Sequence, residues 1–172
     1  MLECCSPAPS DSWRSTATRL VASEITQLTK RGDLISIRPA IESDLQSLCS
    51  LDQIAGQSEQ RRHFIRRAVA SGTCYVARAA QEVVGYGVLN YAFYDQGCIE
   101  MLYVAGDQRR RGVGTALIRH MERLCQTSKL FTSTNQSNLP MQSLLARCGY
   151  ALSGVIHNLD EDDPELIYFK RI

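Results

Sequence analysis

Apolar and polar positions alternate along Leu34-Ile-Ser-Ile-Arg-Pro39, which predicts a strand that Pro39 stops. Beyond it, Leu45, Leu48 and Leu51 recur at helical spacing behind Ser43 or Asp44 as cap. A second helix over about Ser58 to Ala70 sets Phe64, Ile65 and Val69 opposite a solvated basic face of Arg61, Arg62, Arg66 and Arg67. Thr73 to Ala79 and Val83 to Tyr94 read as adjacent strands joined by a polar turn around Gln81-Glu82, and Gly97 opens a central strand that ends at Ala105. Near its end Leu102 and Val104 share one face, and Met101 and Tyr103 share the other. From Thr115 onward Leu117, Ile118, Met121, Leu124 and Cys125 return to helical spacing, and Lys129 to Thr134 form the next strand. Strand, helix, strand in that order implies a right-handed crossover between parallel neighbours. Leu139 to Cys148 make a last helix, ended by Gly149 as a C-terminal cap. Tyr150 to Asn158 and Leu166 to Arg171 are closing strands around the acidic loop Leu159 to Pro164.

Ahead of this succession the pattern is weaker. Residues 1–10 read as a loose tail that predicts no signal peptide, since a charged start and an apolar run are both missing. From Asp11 to Lys30, Trp13, Leu20, Val21, Ile25 and Leu28 can share one helical face, with Gly32 beyond it. The chain therefore divides into an N-terminal extension over 1–33, tail plus helix, and a domain over 34–172. The extension packs on the domain, pairs with another subunit as in a homodimer, or stays unstructured.

Composition adds limits. At 172 residues, 44% hydrophobic and 22% charged, the chain suits one domain with a real core. A formal charge of +1 gives no global field toward nucleic acid or a membrane surface, and no apolar run is long enough for a transmembrane helix. The seven cysteines are scattered without a C-x-x-C pair, so no metal site or disulfide framework is indicated and a reducing cytoplasm is expected.

Chemistry concentrates between Arg109 and Thr115, where a strand meets a helix N-terminus. First-turn N–H groups there lack intrahelical partners and the dipole favours anions. Glycines at 112 and 114 remove the Cβ atoms that would hold a phosphate off the backbone, and Arg109, Arg110 and Arg111 add charge. The segment reads as a diphosphate cradle. A Walker loop needs Lys where Thr115 stands, and a dinucleotide fingerprint needs Gly or Ala where Leu117 stands.

Arg109-x-x-Gly112-x-Gly114 after Leu-Tyr-Val resembles the [Q/R]-x-x-G-x-[G/A] signature of the GNAT superfamily, the acyl-CoA-dependent N-acetyltransferases. Asn138 through Gly149-Tyr150 resembles that family's second signature, N-x-x-A-x-x-x-Y-x-x-x-G-F, with Leu145 where many members carry tyrosine. The element order βααβββαβαββ is the family's. The resemblance implies an α/β (α+β) fold: a mixed central sheet with helices on both faces. Its central strand splays from the strand after the helix to admit pantetheine.

The resemblance further implies acetyl-CoA as co-substrate, bound by Leu102, Tyr103, Val104, Arg109, Arg110, Arg111, Gly112, Val113, Gly114, Thr115 and Asn138, with no metal. Asn138 equally suits a helix cap, and both roles can coexist. A backbone N–H near Tyr103 or Val104 would face the thioester oxygen. Leucine at 145 cannot donate a proton, so Tyr103, Tyr150 or water serves as acid, or the thiolate leaves unassisted. Glu100, flanked by apolar strand residues, is the candidate base, with desolvation raising its pKa; the alternative is a mouth residue in water or paired with an arginine. His157 and His120 are weaker base candidates, and His120, on the helix after the cradle, reads as a surface residue. The acidic segment Asn158 to Glu165 either attracts a cationic amine or is a solvated turn. The expected activity is direct acetyl transfer to a small-molecule or peptide amine in a ternary complex. The alternatives are a non-catalytic acyl-CoA binder of the same fold and an arginine-based nucleic-acid patch, the latter disfavoured by the near-neutral charge.

Overall fold

The strands foreseen from Leu34 onward, joined by one that was not, assemble into one mixed sheet in a computed structural model that describes residues 34–172 and the backbone of Ile25–Leu28. The strands are β1 (Ile25–Leu28), β2 (Leu34–Pro39), β3 (Cys74–Ala79), β4 (Glu82–Phe93), β5 (Gln96–Val104), β6 (Lys129–Asn135), β7 (Ala151–Ile156) and β8 (Glu165–Arg171). Their spatial order is β1-β2-β3-β4-β5-β6-β8-β7. Neighbours run antiparallel except β5 and β6, the parallel pair that the intervening helix requires.

The helices are α1 (Leu45–Leu51), α2 (Gln53–Gln57), α3 (Glu59–Ala70), α4 (Val113–Leu124) and α5 (Leu139–Cys148). They divide the core into two layers. Leu48, Ile65, Val69, Val76, Tyr86 and Val88 pack between the sheet and α1 to α3. Ile35, Ile37, Leu117, Ile118, Met121 and Leu145 fill the other face beneath α4 and α5. Among the described residues no helix is long and apolar enough to cross a membrane.

Several local expectations need correction. The helix expected over 11–30 does not hold at Ile25–Leu28, which pair with Leu34–Ile37 as β1; β-branched Ile25 and Thr26 suit the open edge of β2. The remainder of that helix lies outside the described residues. Asp44 does not cap forward into α1. Its carboxylate accepts from the Ile41 N–H (2.8 Å) and takes two bonds from the Arg38 guanidinium (2.7 and 2.8 Å), which hold it below the usual carboxylate range. The basic face of α3 is solvated at Arg66 and Arg67, and Glu59 binds Arg62 and Arg66 at 2.8 and 3.0 Å. Arg61 instead turns inward, its Nη1 3.1 Å from Met101 Sδ.

His120 is the clearest reversal. Rather than facing solvent it is 3% exposed, its ring 5.2 Å from that of Tyr75 and both nitrogens buried without hydrogen-bond partners. Counting from Val113 and Leu117 at intervals of four and three puts it on the buried stripe of α4. Burial and the nearby Arg123 guanidinium push its pKa down from 6.5 to about 4. The imidazole is therefore neutral in the fold but takes a proton in the unfolded chain below about pH 6.5. Its contribution is intact above that pH and is lost as pH falls toward 4, by roughly 3 kcal/mol at most. Urea unfolding at pH 7 and pH 4.5 should show a smaller acid-induced loss in His120→Leu than in wild type, by roughly 2 kcal/mol. Equal losses in the two proteins would remove His120 as the acid-sensitive group.

Candidate active site

Pairing between β5 and β6 covers Gly97 to Ile99 against Leu130 to Thr132 and then stops. The last rung is pinned by the Thr132 hydroxyl, which donates to the Ile99 carbonyl at 3.0 Å. Past it β5 continues to Val104 held by β4, and β6 continues to Asn135 held by β8. The two strands thus part while each keeps a ladder on its outer side. A cavity of about 390 Å³ opens at this end, with Leu102, Tyr103 and Val104 on one wall.

The turn from β5 into α4 forms the cavity's second side. Arg109 Nε donates to the Val104 carbonyl at 3.2 Å, tying the turn to the strand end. Arg110 and Gly112 both take left-handed backbone, φ 64° and 94°, and the latter is cheap only for glycine. Gly112 is the N-cap of α4 and supplies no side-chain acceptor, so the first-turn N–H groups of the helix are not satisfied by a cap. Arg109, Arg110, Gly112, Gly114 and Thr115 line the cavity, as expected. Arg111 does not. Set between two left-handed residues, it is exposed and not among the residues that line the cavity. Val113 is 2% exposed with its side chain in the core, so only its backbone amide is available to a ligand.

Helix α5 closes the third side. Asn138 caps the helix, accepting from the Met141 N–H at 3.2 Å, and does so at a position that borders the cavity. Met141, Leu144 and Arg147 continue this wall. A Cβ on Gly114 would stand 3.0 Å from Leu144 Cδ2, so a side chain there would make Leu144 give way by a few tenths of an ångström.

The candidate catalytic side chains are distributed unevenly. Tyr103 is at the cavity; its hydroxyl accepts from the Gln53 N–H at 3.1 Å, and its ring stacks on Tyr86 at 5.9 Å. Behind it the Tyr86 hydroxyl donates to Asp52 at 2.6 Å. Asp52 is 0% exposed, caps α2 through the Ile54 and Ala55 N–H groups, and lies 3.8 Å from Arg61 Nε. This network went unseen in the sequence, where its members stand 34 and 50 residues apart; the one available signal was Asp52 as a cap before Gln-Ile-Ala-Gly.

Glu100 is not enclosed by apolar side chains as its neighbours in sequence suggest; it is exposed. Val88 pairs with Met101 and Leu89 with Ile99, so Glu100 is the extra residue of a β-bulge. It accepts from Asn90 Nδ2 and borders a second cavity of about 530 Å³ with Phe64, Arg67 and Val88. The bulge sits one residue beyond the last β5–β6 rung, at the root of the splay.

His157 lies exposed just past β7. The acidic loop is partly structural: Asp163 accepts from the Ser137 N–H and hydroxyl at 2.9 and 2.6 Å, and Asp160 from Asn135 at 2.8 Å.

Residues 40–150 match the family model of the acetyltransferase (GNAT) family. The chain belongs to the GNAT acetyltransferases. It is 33% identical over 85 residues to streptothricin acetyltransferase of Escherichia coli, covering 48% of this chain and 49% of that protein. The chain thus spans about half the length of that curated relative. A GNAT acetyltransferase structure from Bacillus cereus ATCC 10987 superposes with a TM-score of 0.75 and 30% identity, over 80% of this chain and 96% of that one. A Bacillus anthracis str. Ames protein solved with acetyl coenzyme A shares the fold at a TM-score of 0.54 and 19% identity, covering 58% and 61% of the two chains.

Within this GNAT acetyltransferase the two residues at the second signature's acid end are both turned into the core. Leu145 is fully buried. Tyr150 is 6% exposed, and its hydroxyl is buried beside the Glu122 carboxylate. Glu122 is itself held by Arg119 and Lys170 at 2.7 and 2.8 Å. Burial pushes the Tyr150 hydroxyl well above its ordinary pKa, and it does not line the cavity, so the structure removes it as the expected proton donor. Tyr86→Phe should strip the buried Asp52 carboxylate of its shortest bond and cost about 1–3 kcal/mol of stability in urea unfolding. An unchanged midpoint would show that the network does not hold the wall behind Tyr103.

Proposed function

We propose that this chain is an N-acetyltransferase that moves an acetyl group from acetyl-CoA to a primary amine by direct transfer in a ternary complex. The observation that carries the reading is the continuity of the splay with the N-terminus of α4: a slot between strands leads to uncapped amides and two guanidinium groups. A pantetheine arm fits the first part and a diphosphate the second. The solved relative that holds acetyl coenzyme A supports the choice of carrier, and the family supports the group transferred. The free thiols of the five described cysteines suit the reducing cytoplasm.

Amide N–H groups at Tyr103 or Val104 polarise the thioester carbonyl. The amine nitrogen attacks that carbon, the C–S bond breaks, and the amine's proton passes to Glu100, directly or through water. Asn90, donating to one carboxylate oxygen, fixes the base in place. Tyr103 accepts from Gln53, which leaves its own hydroxyl proton free to meet the departing thiolate. The second reading, a non-catalytic acyl-CoA binder, gains from Leu145 and from the burial of Tyr150.

Thiol release from acetyl-CoA across a panel of amines separates the two readings, since a binder gives heat on titration but no thiol. Glu100→Gln should lower kcat/KM by about 10²–10⁴ while the Kd for acetyl-CoA stays unchanged. Full turnover in that variant assigns the proton elsewhere. Gly112→Asp tests the cradle: any side chain strains this left-handed position, so Gly112→Asn carries the same strain as a control, and only the Asp variant adds a charge facing the phosphates. Calorimetry should show CoA affinity down by about tenfold or more in Gly112→Asp and a smaller loss in Gly112→Asn. Equal affinity in all three proteins would place the carrier elsewhere.

A further inference from the structure

The second cavity, of about 530 Å³, lies between the later turns of α3 and the strands β4 and β5. Phe64, Ala68, Ala70 and Val88 make its walls chiefly apolar. Two opposite charges also line it. One is the Glu100 carboxylate, set out by the β-bulge; the other is the Arg67 guanidinium, from the last turn of α3.

The polar groups around these two are engaged with one another. Ser71 Oγ donates to the Arg67 carbonyl at 2.8 Å, and Thr73 Oγ1 to the Ala68 carbonyl at 3.2 Å. Asn90 donates to one Glu100 oxygen and accepts from the Ala92 N–H at 3.1 Å. Glu59, the carboxylate of α3, is held by Arg62 and Arg66. None of the ion pairs among the described residues engages Arg67, and none joins it to Glu100. The cavity therefore presents a carboxylate oxygen and a planar donor fork, held apart along an apolar wall. A ligand that matches it carries an amine at one end, an apolar stretch, and a carboxylate at the other.

We propose that this cavity is the acceptor subsite and that the acceptor is an amino acid: Glu100 receives the amine and Arg67 the carboxylate. This rests on the reading of Glu100 as base given above. A purely structural Arg67, serving as a cation in the last turn of α3, would change stability without distinguishing an acid from its amide.

Thiol release from acetyl-CoA by the full chain tests the proposal, with straight-chain amino acids from glycine to ω-aminohexanoate each set beside its own amide. Wild type should favour at least one acid over its amide by about tenfold in kcat/KM. Arg67→Gln should bring that ratio near one through a higher KM for the acid, and Arg67→Lys should restore part of it. The preference should shrink as salt is raised. Thermal melting of each variant without ligand monitors the fold. Equal use of every acid and its amide by wild type, an equal loss for both in Arg67→Gln, or a preference that survives in that variant overturns the proposal while the base reading stands. Thiol release with none of the amines overturns the transferase reading and this proposal with it.

Discussion

Everything at the site depends on two parallel strands that stop pairing after three rungs. Parting strands normally leave two rows of unsatisfied amides and carbonyls, a costly arrangement in a core. Here the cost is limited because neither strand becomes free. β5 keeps its bonds to β4 as far as Val104, and β6 keeps its bonds to β8 as far as Asn135. The Thr132 hydroxyl bonded to the Ile99 carbonyl closes the last rung and sets where the wedge begins. The inner backbone groups beyond that rung face a slot with room for an extended chain that can satisfy them. A binding site made this way needs no side-chain chemistry in the slot itself, which is why Leu, Tyr and Val can form its wall.

The wedge leads somewhere useful because α4 starts at its open end. Gly112, left-handed and without a capping side chain, begins the helix with its amides unspent, and Gly114 leaves Leu144 of α5 its place in the wall of the slot. On the other face, the buried chain from Asp52 through Tyr86 to the stacked ring of Tyr103 ties α2 to β5. The same strand is thus supported from both sides at the point where it loses its inner neighbour.

How much of this was legible follows from the range of each interaction. The strands from β2 onward, α3, α4, α5 and the turn from Arg109 to Thr115 are local patterns that neighbours in sequence make legible, whereas β1 is not. The bulge was not legible. Alternation assumes one residue per rung, and the extra residue at Glu100 breaks that count, so a side chain flanked by Ile99 and Met101 ends up exposed instead of enclosed. Tyr150 failed for the opposite reason: its partners Glu122 and Lys170 come from α4 and β8, and no local rule brings them together. His120 was legible in principle, since its position follows from the same periodicity that identified α4.

These corrections bear on the chemistry. The proposed base is exposed and not enclosed by apolar groups, so it relies on position. Glu100 has that position, one residue past the last rung, with Asn90 holding one oxygen. The acid side is similarly relaxed. With Leu145 and Tyr150 both in the core, only Tyr103 remains at the cavity among the tyrosines considered, and the reaction tolerates a weak donor because a thiol is a good leaving group, with a reference pKa near ~8.5. An oxygen leaving group of much higher pKa would need a committed acid at that point. For the proposed transfer the demand on the protein is therefore chiefly geometric: to hold a thioester carbonyl against the parted edge of β5 and an amine within reach of Glu100. Both depend on where the pairing of β5 and β6 ends.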